Sequence, residues 1–202
     1  VPTSVPTVRP ALADDVRPLS QSLARAFYDD PIMSHIVPDE TKRRNRLWKL
    51  FDVVAKVDMD KGGVWTTPGR EGAALWAAPG KWRDSPRHLV RQMPLVFTIG
   101  RDLPRAMRLF TMMDKHHPRE PHWYLGVLGT DPAHQGKGLG SALLRPVLDR
   151  CDDEGVPAYL ESSKESNVPF YERHGFRVMH ELPIPGGPTL WPMWRDPRPP
   201  ED

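Results

Sequence analysis

The sequence predicts one α/β (α+β) domain in which strands only slightly outnumber helices, and three observations lead there. Short apolar runs bounded by glycine and proline alternate along the chain with segments of helical apolar period, as expected of strands and helices that share a core. The stretch Trp123 to Leu148 passes from an apolar run through a glycine-rich loop, Gln135 to Ser141, into a helix. A chain of 202 residues without internal repeat or low-complexity block suits a single domain spanning residues 1–202.

Residues 1–6 are expected to form a loose tail, followed by a short strand at Thr7 to Pro10. Asp14 reads as the N-cap of a first helix whose Val16, Leu19, Leu23 and Phe27 share a face, ending near Tyr28. A loop follows through Asp29, Asp30 and Pro31 and continues from His35 to Pro38. Asp39 and Glu40 open the next helix, which carries Leu47, Trp48, Leu50, Phe51, Val54 and Val57 inward until Gly62 and Gly63 stop it. Val64 to Thr66 and Ala73 to Trp76 form a hairpin around Pro68, Gly69 and Gly72. Pro86 to His117 reads as two helices broken at Gly100, with Asp102 capping the second. The face Leu103, Met107, Phe110 and Met113 of the second either fills the core or forms a deformable lid.

Trp123 to Thr130 is the central strand, and Leu139 to Glu154 is the helix behind the loop, with Leu143, Leu144, Val147 and Leu148 inward. Gly155 to Pro157 lead into a strand at Ala158 to Ser162. Asn167 caps a short helix through His174, with Gly175 as its left-handed stop, and Phe176 to Leu182 is another strand. Pro185 to Pro188 turn the chain into a last strand, Thr189 to Arg195, where Pro192 is expected to force a bulge or an early end. Residues 197–202 are expected to be loose.

Composition narrows the function. The 28 Lys and Arg against 26 Asp and Glu leave a net charge of +2, and the basic residues are scattered, which argues against a nucleic-acid partner. Cys151 is the only cysteine, so an internal disulfide is impossible and a reducing compartment fits. Its spacing with Leu143 and Val147 makes it a core thiol rather than a nucleophile. Val1 to Pro10 is too polar for a signal peptide and no apolar run spans a membrane, so a cytoplasmic location without membrane contact is expected. His116, His117, His122 and His134 show no His-x-x-x-His spacing, and no metal is expected.

The glycine loop carries the chemistry. Glycine turns with φ > 0 and lets backbone N–H groups approach a ligand. The first turn of a helix adds unpaired donors and partial positive charge, so the two together bind phosphate, with Lys137 as a point charge on the rim. A P-loop is excluded because, after the four residues that follow Gly129, His134 stands where the second glycine belongs, and Gly138 follows Lys137. A dinucleotide fingerprint is excluded because Ser141 or Leu143 falls where the third glycine belongs.

Gln135, Gly138 and Gly140 instead fit Gln/Arg-x-x-Gly-x-Gly/Ala, and Asn167 to Phe176, with Tyr171, Gly175 and Phe176, fits Tyr-x-x-x-Gly-Phe. In these two blocks the chain resembles the GCN5-related N-acetyltransferase (GNAT) family. With Glu161 and Ser162 between them, the wording is closest to the puromycin N-acetyltransferase branch, over Pro121 to Trp194. The resemblance implies a mixed, mostly antiparallel sheet of six or seven strands with helices on both faces, splayed between the strands at Trp123 and Ala158. It also implies acetyl-CoA as co-substrate.

Acetyl transfer to an amine needs a grip on the pantetheine arm, a polarised carbonyl, a base for the ammonium and an acid for the thiolate. Leu128, Gly129 and Thr130 are candidates for the arm, held as though it were another strand. By resemblance Gln135, Gly136, Lys137, Gly138, Leu139, Gly140 and Ser141 hold the pyrophosphate, and Tyr171 is the acid. Asn167 departs from the usual family spacing and is either a coenzyme contact or only a helix cap. Glu161 and Glu120 are the candidate bases. Phe27, Tyr28, Asp29 and Asp30, with Trp76, Trp123 and Tyr124, are candidates for the acceptor site, or the aromatics are core. The leading expectation is acetyl transfer to a small-molecule amine by a monomer or homodimer. The alternatives are a longer acyl-CoA, a peptide N-terminus, a non-catalytic acyl-CoA sensor, or a phosphate-binding module of another fold.

Overall fold

The computed structural model describes residues 6–198. Its strands are β1 (Arg9–Pro10), β2 (Gly62–Thr66), β3 (Gly72–Ala77), β4 (Trp123–Thr130), β5 (Ala158–Ser162), β6 (Arg177–Val178), β7 (Leu182–Pro183) and β8 (Thr189–Arg195). Its helices are α1 (Val16–Ala26), α2 (Pro31–Ile36), α3 (Glu40–Asp58), α4 (Pro86–Ile99), α5 (Leu103–His116), α6 (Leu139–Glu154) and α7 (Val168–Glu172). The sheet runs β1, β2, β3, β4, β5, β8, β6, with β7 also on β8. Every pair is antiparallel except β4 with β5. The eight strands exceed the six or seven expected, partly because the run read as one strand from Phe176 divides into β6 and β7.

All six residues of β3 are buried, because both sheet faces are covered. Ala73 and Leu75 join a core with Leu19 and Leu23 of α1 and Leu47 and Phe51 of α3. Ala74 and Trp76 point the other way, to Leu143, Leu144 and Val147 of α6. Period-two alternation thus assigns a helical layer to each face. Among the described residues no helix is long and apolar enough to cross a membrane.

Several local expectations change. Asp14 is exposed; the buried acid is Asp15, which ends a 3₁₀ turn and accepts the Leu12 N–H at 2.9 Å. Arg9 reaches Asp15 at 2.6 and 2.9 Å and Arg70 at 2.6 Å. This clamp ties β1, the start of α1 and the β2–β3 turn, and it secures Arg70 in the left-handed region at φ 62°. The loop expected after Asp29 contains α2, capped by Asp30, whose Oδ1 accepts the N–H groups of Ile32 and Met33 at 2.9 and 3.1 Å. Gly62 and Gly63 belong to β2, since α3 already ends at Asp58. Asp102 makes no side-chain cap; it is ion-paired at 3.4 Å with Arg46 of α3.

Met107 and Phe110 are 56% and 46% exposed, and α5 buries Ala106 and Leu109 instead. Pro192 neither bulges nor ends β8: it pairs with Glu161, and its carbonyl accepts the Met179 N–H at 2.9 Å. The carbonyl and nitrogen of one strand residue face the same neighbour. The missing donor therefore falls where β6 has already stopped, and the β5 ladder loses nothing. At the C-terminal end, the Arg198 N–H is bound to Asp152 at 2.7 Å. The remaining expected tail positions, 1–5 and 199–202, lie outside the described residues.

The Arg9 hydrogen bonds, against the cost of burial, hold the Asp15 carboxyl well below the usual carboxylate range. Its stabilising effect is therefore complete above the unfolded pKa of about 3.9 and is lost as pH falls below it. Asp15→Ala is expected to cost about 1–3 kcal/mol at pH 7, with a smaller difference from wild type near pH 3. Urea denaturation at the two pH values checks this, and an equal difference at both contradicts it.

Candidate active site

β4 and β5 stay paired from Trp123 with Ala158 to Leu125 with Leu160, and then part. β4 continues on β3 to Thr130 opposite Gly72, and β5 continues on β8 to Ser162 opposite Trp191. The β5-facing edge of β4 from Gly126 onward therefore has no strand partner among the described residues. Gly126 is the extra residue of a bulge, because Leu75 pairs with Val127 while Trp76 pairs with Leu125. A bulge bends and twists its strand, which here turns β4 out of line with β5. A cavity of about 600 Å³ occupies the gap.

The end of β4 supplies Leu128, Gly129 and Thr130 to one wall. A Cβ on Gly129 would stand 2.6 Å from Phe27 and 2.8 Å from Leu23, so its absence lets α1 lie against β4 and puts Phe27 on the wall. Beyond Thr130, Asp131 fixes the loop: Oδ1 accepts the Ala133 N–H at 3.1 Å and Oδ2 the Arg25 guanidinium at 2.6 Å. Burial alone would raise Asp131, but these donors outweigh it and hold its carboxyl low. Gln135 donates to the Thr130 carbonyl at 3.2 Å.

Gly136 and Gly138 have φ of 75° and 76°, the left-handed region that favours glycine. Gly138 is the N-cap of α6 and has no side chain to occupy the first-turn donors. Those donors belong to Leu139, Gly140 and Ser141, all on the wall with Gln135, Gly136 and Gly138. A Cβ on Gly140 would come within 3.2 Å of Phe170, so this glycine admits the ring of α7 beside the loop.

Opposite stand Glu161, Asn167 and Tyr171. The Glu161 side chain is 2% exposed, and its Oε1 has no hydrogen-bond partner among the described residues. Burial, with the Asp30 carboxyl nearby, pushes the Tyr171 phenol far up, so it keeps its proton at neutral pH. Asn167 occupies the N-cap position of α7 without making the side-chain cap bond. Cys151 is buried in the core, its thiol pushed up to about 12 chiefly by desolvation.

Not every candidate reaches the cavity. Trp76 and Trp123, expected as an acceptor wall, are 0% and 2% exposed and pack with α6, where the Arg150 guanidinium lies 4.9 Å from the Trp123 ring. Their size and apolar surface fill the core between sheet and helix instead. Tyr28 hydrogen-bonds the Glu40 carbonyl at 3.3 Å, and Asp29 is exposed; neither lines the cavity. Lys137 and Glu120 are also exposed and off the wall, and it is the Glu120 carbonyl, not its carboxylate, that is engaged, by His122. Tyr124 is off the wall too, stacked with Tyr159 at 6.0 Å.

Sequence reasoning did not single out Ser163, Lys164, Arg173 or Phe170, which do line the gap. Asp30, an acceptor-site candidate from the sequence, does line it, and its Oδ2 accepts a hydrogen bond from Ser163, joining the α1–α2 connection to the segment after β5. The Asp30-Pro31 pair is a helix-start signal that the loop expected there did not use. Among the described residues no group of three or more His, Cys, Asp or Glu is placed to hold a metal ion.

Comparison with known proteins follows the same lines. Residues 81–176 match the model of the Acetyltransferase (GNAT) family. The chain is 30% identical over 176 residues to an uncharacterized N-acetyltransferase of Schizosaccharomyces pombe, covering 81% of this chain and 71% of that protein. It is 32% identical over 185 residues to a mycothiol acetyltransferase of Thermomonospora curvata, with 84% of this chain but only 57% of the relative covered. A Corynebacterium glutamicum crystal structure, described as histone acetyltransferase HPA2 and related acetyltransferase, superposes with a TM-score of 0.70 at 27% identity. The match covers 98% of this chain and 99% of that one.

Gly129→Ala is expected to cost about 1–3 kcal/mol, because Phe27 and Leu23 must give way. Gly136→Ala, with open space around it, should cost about 1 kcal/mol from its backbone alone. Equal losses in urea denaturation contradict this division.

Proposed function

The chain belongs to the GNAT family of acetyltransferases, and from that premise we propose that it moves the acetyl group of acetyl-CoA to a primary amine of a small molecule. The observation that carries this reading is the parting of β4 from β5 over a glycine loop at the start of α6. An unpaired strand edge offers the amide pattern that pantetheine matches, and it ends where a diphosphate needs donors. The fit can be tested on the loop itself: two glycines are left-handed, and a Cβ on the third would press on Phe170.

In this reading Leu128, Gly129 and Thr130 pair with the pantetheine amides, and one of their N–H groups polarises the thioester carbonyl. Gln135 to Ser141 hold the pyrophosphate on backbone donors, with Lys164 and Arg173 adding positive charge from the facing wall. Glu161 takes a proton from the ammonium, directly or through water, and the free amine attacks the thioester carbonyl. Tyr171 gives its proton to the departing sulfur and recovers one from the nitrogen of the new amide. From ammonium to amide the nitrogen loses two protons: one replaces that of Tyr171, and the other leaves through Glu161.

Phe27 and Asp30, both on the wall, support an acceptor that combines an apolar group with a cation. The closeness of both sequence blocks to the puromycin branch supports an aromatic amine. Tyr171→Phe is expected to lower kcat about 100-fold or more with the Kd of acetyl-CoA unchanged. Coenzyme A release with a panel of amines, alongside calorimetric binding, checks this. An unaltered kcat removes Tyr171 from the reaction.

A further inference from the structure

Glu161 does not stand alone. The Nδ1 atom of His117 lies 3.6 Å from its Oε1, and Nε2 of His117 lies 2.9 Å from Nε2 of His122. Nδ1 of His122 in turn lies 2.6 Å from the Glu120 carbonyl. His117 and His122 are 7% and 1% exposed, and Trp82 stacks on the His117 ring at 3.7 Å.

The hydrogen-bond roles follow from the end of this chain. A carbonyl only accepts, so His122 Nδ1 carries a hydrogen. Burial disfavours a second proton on His122, which leaves its Nε2 as an acceptor. His117 must then donate from Nε2, and in the neutral ring its Nδ1 is a bare lone pair. That lone pair faces a carboxylate oxygen that has no hydrogen-bond partner among the described residues. Two acceptors meet across a gap longer than a hydrogen bond, and the arrangement is one proton short.

We propose that Glu161 and His117 form a two-site proton acceptor, in which the proton taken from the substrate ammonium by Glu161 passes to His117 Nδ1. This rests on Glu161 being the base of the reaction proposed above. The ammonium N–H bond breaks, the pair gains one proton, and His117 becomes an imidazolium held between Glu161 and His122. The proton returns through Glu161 to solvent when the product leaves, so the acetyl transfer releases one proton overall. His117 acts through Glu161 and is a positioning residue.

Other titrating groups face the pair. Tyr124 of β4 and Tyr159 of β5 are kept protonated by burial and by the Glu161 charge. Asp58 of α3, pushed up to about 6 by burial, acts on Tyr124; beyond it Lys61 bridges Asp58 and Asp84. His116 is engaged separately with the Met112 carbonyl at 2.9 Å. Because the Asp58 carboxyl, pushed up to about 6, also contributes to an acidic limb, the limb of the pair must be identified by difference between variants.

The test compares wild type, Glu161→Gln and His117→Gln in kcat, KM for acetyl-CoA, and the pH profile of kcat/KM. His117→Gln is expected to lower kcat about 10-fold or more, leave KM for acetyl-CoA unchanged and displace the acidic limb. Loss of activity in Glu161→Gln with a wild-type rate and profile in His117→Gln overturns the inference and leaves the base in place. Wild-type activity in Glu161→Gln overturns both. Nitrogen NMR of labelled histidines in the unsubstituted site avoids any folding defect of the His117 variant. The His117 Nδ1 resonance should titrate in wild type and change its midpoint in Glu161→Gln; an identical titration in both also overturns the pairing.

Discussion

The structure depends on where one parallel strand pairing stops. β4 and β5 share three residue pairs and then each follows its other neighbour, β3 on one side and β8 on the other. Opening a sheet in mid-strand exposes amide groups that water must satisfy, yet the cost is confined to a single edge because both outer ladders continue. Each half also has its own support. Val127 rests against the α1 side and Leu160 belongs to the α6 cluster, so neither half relies on the lost pairing for burial.

Small residues convert this opening into a shaped gap. Gly126 bulges, Gly129 admits α1 against the strand, and Gly140 admits Phe170 beside the loop. Charge then fixes what glycine leaves free: Arg25 holds the loop through Asp131, and Asp30 bridges to Ser163 beyond β5. The wall thus combines backbone donors on one side with Glu161 and Tyr171 on the other. Burial acts in one direction on the phenols around the site, raising Tyr171, Tyr159 and Tyr124 and keeping them neutral.

Elements with strong local signals were legible in the sequence, and β4, β5, α6 and β8 have the bounds that turn residues and apolar period suggested. Loop geometry was legible too, since left-handed glycines and a helix start are local events. Burial was not. Trp76 and Trp123 lie on strands covered on both faces, where no alternation distinguishes a core aromatic from one on a cavity wall. The N-cap position was misplaced by one residue because Asp14 and Asp15 are equivalent on paper, and it is the clamp of Arg9 with Arg70, the latter from 55 positions away, that selects Asp15. The pairing of His117 with Glu161 was invisible for the same reason: the two stand 44 positions apart in the chain, and only the fold brings them together.

The most direct measurement is backbone hydrogen exchange with and without acetyl-CoA. Amides of Gly126 to Thr130 and of Leu139 to Ser141 should exchange readily in the free protein and become protected together when acetyl-CoA binds, with little change along β2 and β3. Unchanged exchange in those two segments, with protection appearing elsewhere, would contradict the assignment of the β4–β5 gap as the coenzyme slot.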